Sequence, residues 1–148
     1  MKIQIENKQT KIKIDRRKIR ITVRTLLNIM DCANRELSIS FVDDKTIQQL
    51  NKNYLQKDNS TNVLSFSLQE GEYGNLSPDV LGDIVISTET AQRDAAIGDL
   101  SLSEEIDFLI IHGLLHLLGF NHENTTKAQT LKMRIKEKEL FEILDSGN

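Results

Sequence analysis

The stretch from Ser101 to Gly119, SLSEEIDFLIIHGLLHLLG, constrains this chain more than any other. Ser101 and Glu104 have the S-x-x-E spacing of a capping box, which opens a helix running to about Leu118. Gly119 is a suitable residue to stop it. From Phe108 onward the helix is apolar nearly all round, and a helix without a polar face belongs in the interior. The run from Phe108 to Phe120 is too short for a membrane span and holds two histidines and two glycines. The rest of the chain must therefore wrap this helix.

The remaining segments supply the wrapping. Lys2–Glu6 and Lys11–Ile14 alternate like strands, and Leu37–Val42, Val63–Phe66 and Leu81–Ser87 read as further strands. Asp15 is placed to cap a helix to about Asp31 with Ile19, Val23, Leu26, Leu27 and Met30 on one face. Asp44–Tyr54 is a second helix (Ile47, Leu50, Tyr54), Glu89–Ile97 a short third, and Thr125–Leu144 a charged last one packing through Leu131, Ile135 and Leu140. Gln69–Asp79, with Gly71, Gly74 and Pro78, reads as a loop. Helices follow strands without strict alternation, so the class is α+β. The expectation is one domain over residues 1–148, a mixed central sheet packed on helices around the buried histidine-bearing helix. With 148 residues, 39% hydrophobic and 28% charged, the chain suits a single globular core. The one cysteine, Cys32, excludes an internal disulfide, suits a reducing compartment and reads as a small buried hydrophobe. The start, MKIQIENKQTKIKI, has no apolar signal core, so a cytoplasmic protein is expected.

Net charge is −3, which argues against a nonspecific polyanion binder, but its distribution is uneven. Residues 1–24 carry nine basic and two acidic residues, and the remainder carries ten basic and twenty acidic ones. A cationic face on an acidic body attracts phosphates at one side only, although charge runs more often only keep a surface solvated.

All three histidines, His112, His116 and His122, lie in one window, HGLLHLLGFNH. His112 and His116 are four residues apart, so both imidazoles leave one face of the helix about 6 Å apart along its axis. Gly119 breaks the helix, and His122 follows six residues after His116, close enough to fold back. A histidine on an apolar face is ordinarily a satisfied core residue. Two imidazoles buried there without partners are costly, however. Three neutral imidazoles around a vacant position form the open coordination of catalytic zinc; nickel or another divalent transition metal also accepts such ligands. The spacing is close to the H-E-x-x-H helix of metalloproteases, but Gly113 occupies the position of the glutamate base. Glu105, about 10 Å along the axis from His112, is too far to replace it. Gly113 itself suggests a close approach by another element.

The window His112-Gly113-x-Leu115-His116-Leu117-x-Gly119-x-x-His122 resembles the signature of the bacterial YbeY family, endoribonucleases of ribosomal RNA maturation. Tyr54, Lys57-Asp58 and Ser60-Thr61-Asn62-Val63-Leu64-Ser65-Phe66 resemble a second block of that family, and Leu81-Gly82-Asp83-Ile84-Val85-Ile86 a third. The resemblance implies an α+β fold with a central sheet and a metal held by His112, His116 and His122. It also implies a single-strand-specific RNase acting at the 3′ end of 16S rRNA and in ribosome quality control. The implied partners are rRNA, the small ribosomal subunit and ribosome-associated proteins, with neither DNA nor membrane. Three positions depart from the family pattern. Leu55 stands where an arginine usually follows the tyrosine, Ser60 and Ser67 stand where proline is common, and Asn121 replaces an aspartate.

On this reading a zinc ion assists cleavage of an RNA phosphodiester, with Lys57, Asn62, Ser65 and Thr61 near the substrate. The basic N-terminal segment contacts RNA backbone in a salt-dependent way. No residue is singled out as general base; Asp58, Asp83 and Glu123 are candidates, each also readable as a turn, cap or solvated residue. The competing reading is a ribosome-assembly factor whose metal is mainly structural. A third is a small metal-dependent hydrolase of a non-RNA substrate.

Overall fold

A computed structural model describes residues 2–67, 79–120 and 126–146. Its elements, in chain order, are β1 (Lys2–Asn7), α1 (Arg16–Ile29), β2 (Glu36–Val42), α2 (Asp44–Leu55), β3 (Val63–Ser67), β4 (Val80–Ser87), α3 (Thr88–Ile97), α4 (Leu102–Leu117) and α5 (Lys127–Ser146). The strands form one sheet in the order β1-β2-β4-β3. β1, β2 and β4 are parallel, and β3 joins the β4 edge antiparallel. The architecture is α+β with a mixed sheet, as expected.

The helix starts follow from capping. Asp15, Asp43, Ser87 and Ser101 each accept a hydrogen bond from a backbone N–H three residues on. At Ser101 the box is reciprocal, because Glu104 also accepts from the Ser101 N–H. α4 buries residues on every side, including Ile106, Leu109, Ile110, Ile111, Leu114, Leu115 and Leu117, and so is the central helix. One face of the sheet (Ile3, Ile5, Leu37, Ile39, Phe41, Ile84, Ile86) packs with α1, α4 and α5. Alternate residues on the opposite face (Val42, Leu64, Val85) pack with Ile47 of α2 in a smaller cluster. Between α1 and α4, Thr22 Oγ1 donates to Asp107 Oδ1 at 3.2 Å. Burial pushes the Asp107 carboxyl above its ordinary value, against the opposing pull of Thr22 and Lys18.

Three expectations need correction. Lys11–Ile14 forms no strand. The Gln9 side chain instead donates to Asn7 Oδ1 and the Ile12 carbonyl and accepts from the Ile12 N–H, folding the segment into a side-chain-capped loop. In α2, Tyr54 is exposed and rests edge-on against Phe66 at 5.5 Å, while Asn51 takes the buried position. In α5, Leu131 and Ile135 are each 58% exposed; the packed face is Met133, Glu137, Leu140 and Leu144. The loop expected at Gln69–Asp79 lies almost wholly outside the described residues. Cys32 is buried, as expected.

One glycine is required where β4 meets β3 and α4. Gly82 has φ +144°, and a Cβ there would lie 2.1 Å from the Phe66 carbonyl oxygen and 3.1 Å from Leu117 Cδ2. Overpacking and a forbidden dihedral act together at this position. Gly82→Ala is expected to destabilise the fold by about 3 kcal/mol, read as a lower urea midpoint at unchanged slope.

Candidate active site

α4 carries His112 and His116 on one face, one turn apart, with both side chains half-buried. Their Nε2 atoms converge to 3.1 Å and their ring centroids to 4.6 Å. His112 Nδ1 meets Glu137 Oε2 of α5 at 3.0 Å. The ring is thus held with Nδ1 toward the Glu137 carboxyl and Nε2 toward His116. Phe108 stacks beside the His112 ring and Phe141 meets Phe108 edge-on, which packs the imidazole from the α5 side.

Close contact explains the glycine between the histidines. A Cβ on Gly113 would lie 3.0–3.1 Å from Ile84 side-chain atoms, so α4 approaches β4 closely here and any side chain would push Ile84 aside. The glutamate of a protease helix would crowd Ile84 in this position. Ser65 Oγ of β3 donates to the Gly113 carbonyl at 3.4 Å, fastening β3 beside the histidines.

The imidazoles open into a cleft of about 550 Å³ between α4, β3 and the segment after α2. Lys57, Asn62 and Ser65, singled out from the sequence, all line it, as do Thr61, Asn59, Ser67, Asn51 and Leu55. Asn62 Nδ2 donates to Asp94 Oδ2 at 3.4 Å, tying the cleft wall to α3. Behind that wall, burial first and the Asp94 carboxylate second raise the pKa of Glu105. Asn51 supports the segment after α2. Its Nδ2 donates to the Asn59 carbonyl at 3.0 Å, and its own carbonyl accepts from the Lys57 N–H at 3.2 Å. Its Oδ1 is buried and meets no hydrogen-bond donor among the described residues. Gln56 ends α2 in the left-handed conformation and turns the chain into this segment.

The candidate bases fare differently. Asp83 is exposed and borders a small hollow with Lys2, Gln4, Glu36 and Ser38, away from the histidines. Strand alternation sends its side chain to the face opposite Ile84, so it is not in the cleft. Asp58 accepts from Gln48 of α2 and is not part of the cleft lining. Glu123 and His122 lie outside the described residues, as does Asn121. Glu137 and Asn51 are the residues that sequence reasoning missed. The signal for Glu137 was its register with Met133, Leu140 and Leu144, which places a carboxylate on the packed face of α5.

The two converging imidazoles fit a metal. Two ligands of a tetrahedral zinc at about 2.0–2.1 Å are separated by roughly 3.3 Å, close to the observed 3.1 Å. A carboxylate on the far ring nitrogen is the usual support for a ligating histidine. Among the described residues no group of three or more histidine, cysteine, aspartate or glutamate side chains is arranged to hold an ion. No helix among them is long and apolar enough to cross a membrane.

Comparison with known proteins agrees with this architecture. The family model described as Endoribonuclease YbeY matches residues 4–145. Curated relatives named Endoribonuclease YbeY include one from Syntrophus aciditrophicus, 56% identical over 97% of this chain and 90% of the relative. Another, from Syntrophotalea carbinolica, is 47% identical over 94% and 93%. A third, from Geobacter sulfurreducens, is 40% identical over 99% and 98%. The solution structure of TM1509 from Thermotoga maritima superposes with a TM-score of 0.64 over 98% of this chain and 93% of that one. At 21% identity it speaks to the fold alone. With a match that takes in both the histidine helix and the walls of its cleft, the chain belongs to the YbeY endoribonuclease family.

Proposed function

We propose that this protein is a metal-dependent endoribonuclease of single-stranded RNA, acting in the cytoplasm at the 3′ end of 16S rRNA and in ribosome quality control on the small subunit. The observation that carries the reading is the convergence of His112 Nε2 and His116 Nε2 to 3.1 Å in the floor of a polar cleft. His112, His116 and His122 would hold one ion, zinc by ligand chemistry, with nickel or another divalent transition metal as alternatives. When bound, such an ion supplies Lewis-acid polarisation of the phosphodiester and a lowered pKa for the attacking water.

The chain's own residues do the rest. Glu137 orients the His112 ring through Nδ1, so that Nε2 faces His116 and the cleft. Lys57 contacts a phosphate as a point charge, in a cleft where Leu55 stands in place of a guanidinium fork. Thr61, Asn62 and Ser65 offer hydroxyl and amide groups to ribose and base edges, and Asp94 steadies the Asn62 amide. Leu55 also favours a second reading, a ribosome-assembly factor with a largely structural metal and little catalysis.

Mapping rRNA 3′ ends in cells that carry only His112→Ala decides between them. Precursor 3′ ends should accumulate under the nuclease reading. Normal ends, with the protein still bound to pre-ribosomes, would support the assembly factor.

A further inference from the structure

The cations of this chain are not where its cleft is. Among the described residues, Lys57 is the only lysine or arginine that lines the cleft. Nine of the nineteen lie in residues 2–24. β1 and β3 are opposite edges of the sheet, three strand spacings or roughly 14 Å apart. α1 packs on β1, where Arg20 Nη1 donates to the Ile3 carbonyl at 2.8 Å. The basic segment therefore does not line the histidine cleft; it forms a separate surface at the far edge.

That surface has a definite pattern. Arg17, Ile21, Arg24 and Asn28 follow at i, i+4, i+7 and i+11 along the outward face of α1, flanked by Arg16 and Arg20, and all are exposed. The helix contains no acidic residue. Lys8 and Lys11 are paired with Glu6 and Glu89. Arg16, Arg17 and Arg24 form no ion pair among the described residues. Arg16, Arg17 and Lys18 also occupy the first helical turn, where the helix dipole disfavours positive charge. A purely solvated face gains nothing from that placement. α5, by contrast, interleaves its cations with glutamates, and Lys136 pairs with Glu139. Arginine is the residue suited to bidentate phosphate contacts, and Arg17 and Arg24 are about 10.5 Å apart along the axis, room for successive phosphates.

We propose that the outer face of α1 is a second RNA-docking surface, which grips the phosphodiester backbone of folded RNA while the cleft receives the unpaired strand. The inference rests on the nuclease reading for the identity of the polyanion. Neutral groups dominate the cleft, so the strand there makes few phosphate contacts, and most of the salt-sensitive affinity comes from α1.

The test uses the full chain, an RNA hairpin with a single-stranded 3′ tail, and the tail alone as a short oligonucleotide. Binding is measured across a salt series for the parent and for the Arg16→Gln/Arg17→Gln/Arg24→Gln variant; Arg20 is left to hold β1. Losing three phosphate contacts should make the log–log salt slope for the hairpin shallower by about 2.7 and weaken binding at least about 10-fold. Cleavage of the short oligonucleotide and the melting temperature should stay at parental values. Parental hairpin affinity and slope in the variant would overturn the proposal, as would displacement of the hairpin by polyglutamate at equal charge concentration. The nuclease reading fails separately: uncleaved RNA with an α1-dependent slope leaves the docking surface standing.

Discussion

Replacing His116 by alanine should leave a protein that folds but neither retains a stoichiometric divalent ion nor cleaves RNA. His116 Nε2 is 3.1 Å from His112 Nε2, and the pair would supply two of the three nitrogens of the proposed metal site. On the proposed three-histidine site, removing one ligand leaves too few for an ion that favours three protein ligands around an open position. Binding of the metal, and with it several kcal/mol of charge stabilisation, is lost together, which corresponds to a fall in kcat/KM on the order of 10³-fold. The core should tolerate the change. His116 is half-buried on the cleft side, whereas Leu114, Leu115 and Leu117 carry the packing of that helical turn. Elemental analysis after dialysis, a melting curve and a cleavage assay on one preparation check all three points. A variant with the parent's zinc content and activity would remove the metal centre from the mechanism.

The parts of this site that depend on one helix were readable before any coordinates. The i,i+4 histidines fix their own geometry, the capping box fixes the start of α4, and Gly113 signalled the close approach that Ile84 makes. Lys57, Asn62 and Ser65 line one cleft with the histidines, because one short block of chain leads from the end of α2 into β3. What depends on the meeting of distant segments was not readable. Glu137 is 25 residues from His112 and sits among charged neighbours. Reading α5 through Leu131 and Ile135 turned the helix the wrong way, because hydrophobicity alone ranks a leucine above a glutamate for burial. The buried glutamate is tolerated because His112 satisfies it, a pairing no periodicity encodes. Likewise, alternation in Lys11–Ile14 imitates a strand, but no neighbouring strand receives it, and Gln9 binds the segment into a loop instead. Asp83 failed as a base for a related reason: proximity in sequence to Ile84 places it on the opposite face of the sheet.

Glu137 yields the second large effect. Its Oε2 accepts from His112 Nδ1 at 3.0 Å, both groups are mostly shielded from water, and Met133 and Leu140 hold the carboxylate in place from the same helix face. Through this bond the carboxylate orients the ring and favours the tautomer that turns a free nitrogen toward His116. In Glu137→Ala the Nδ1–H loses its acceptor and the ring its orientation, so metal affinity should fall by about 10–100-fold. Glu137→Gln keeps an acceptor without the charge and should lose less, because the amide oxygen can still take the Nδ1 proton. Competition with a chromophoric chelator reads the affinities directly. At saturating metal both variants should recover most of the parent's cleavage, because Glu137 acts on the histidine and not on the RNA. If Glu137→Ala binds zinc as tightly as the parent, the hydrogen bond is only packing between α4 and α5, and the tautomer of His112 must be set by something else.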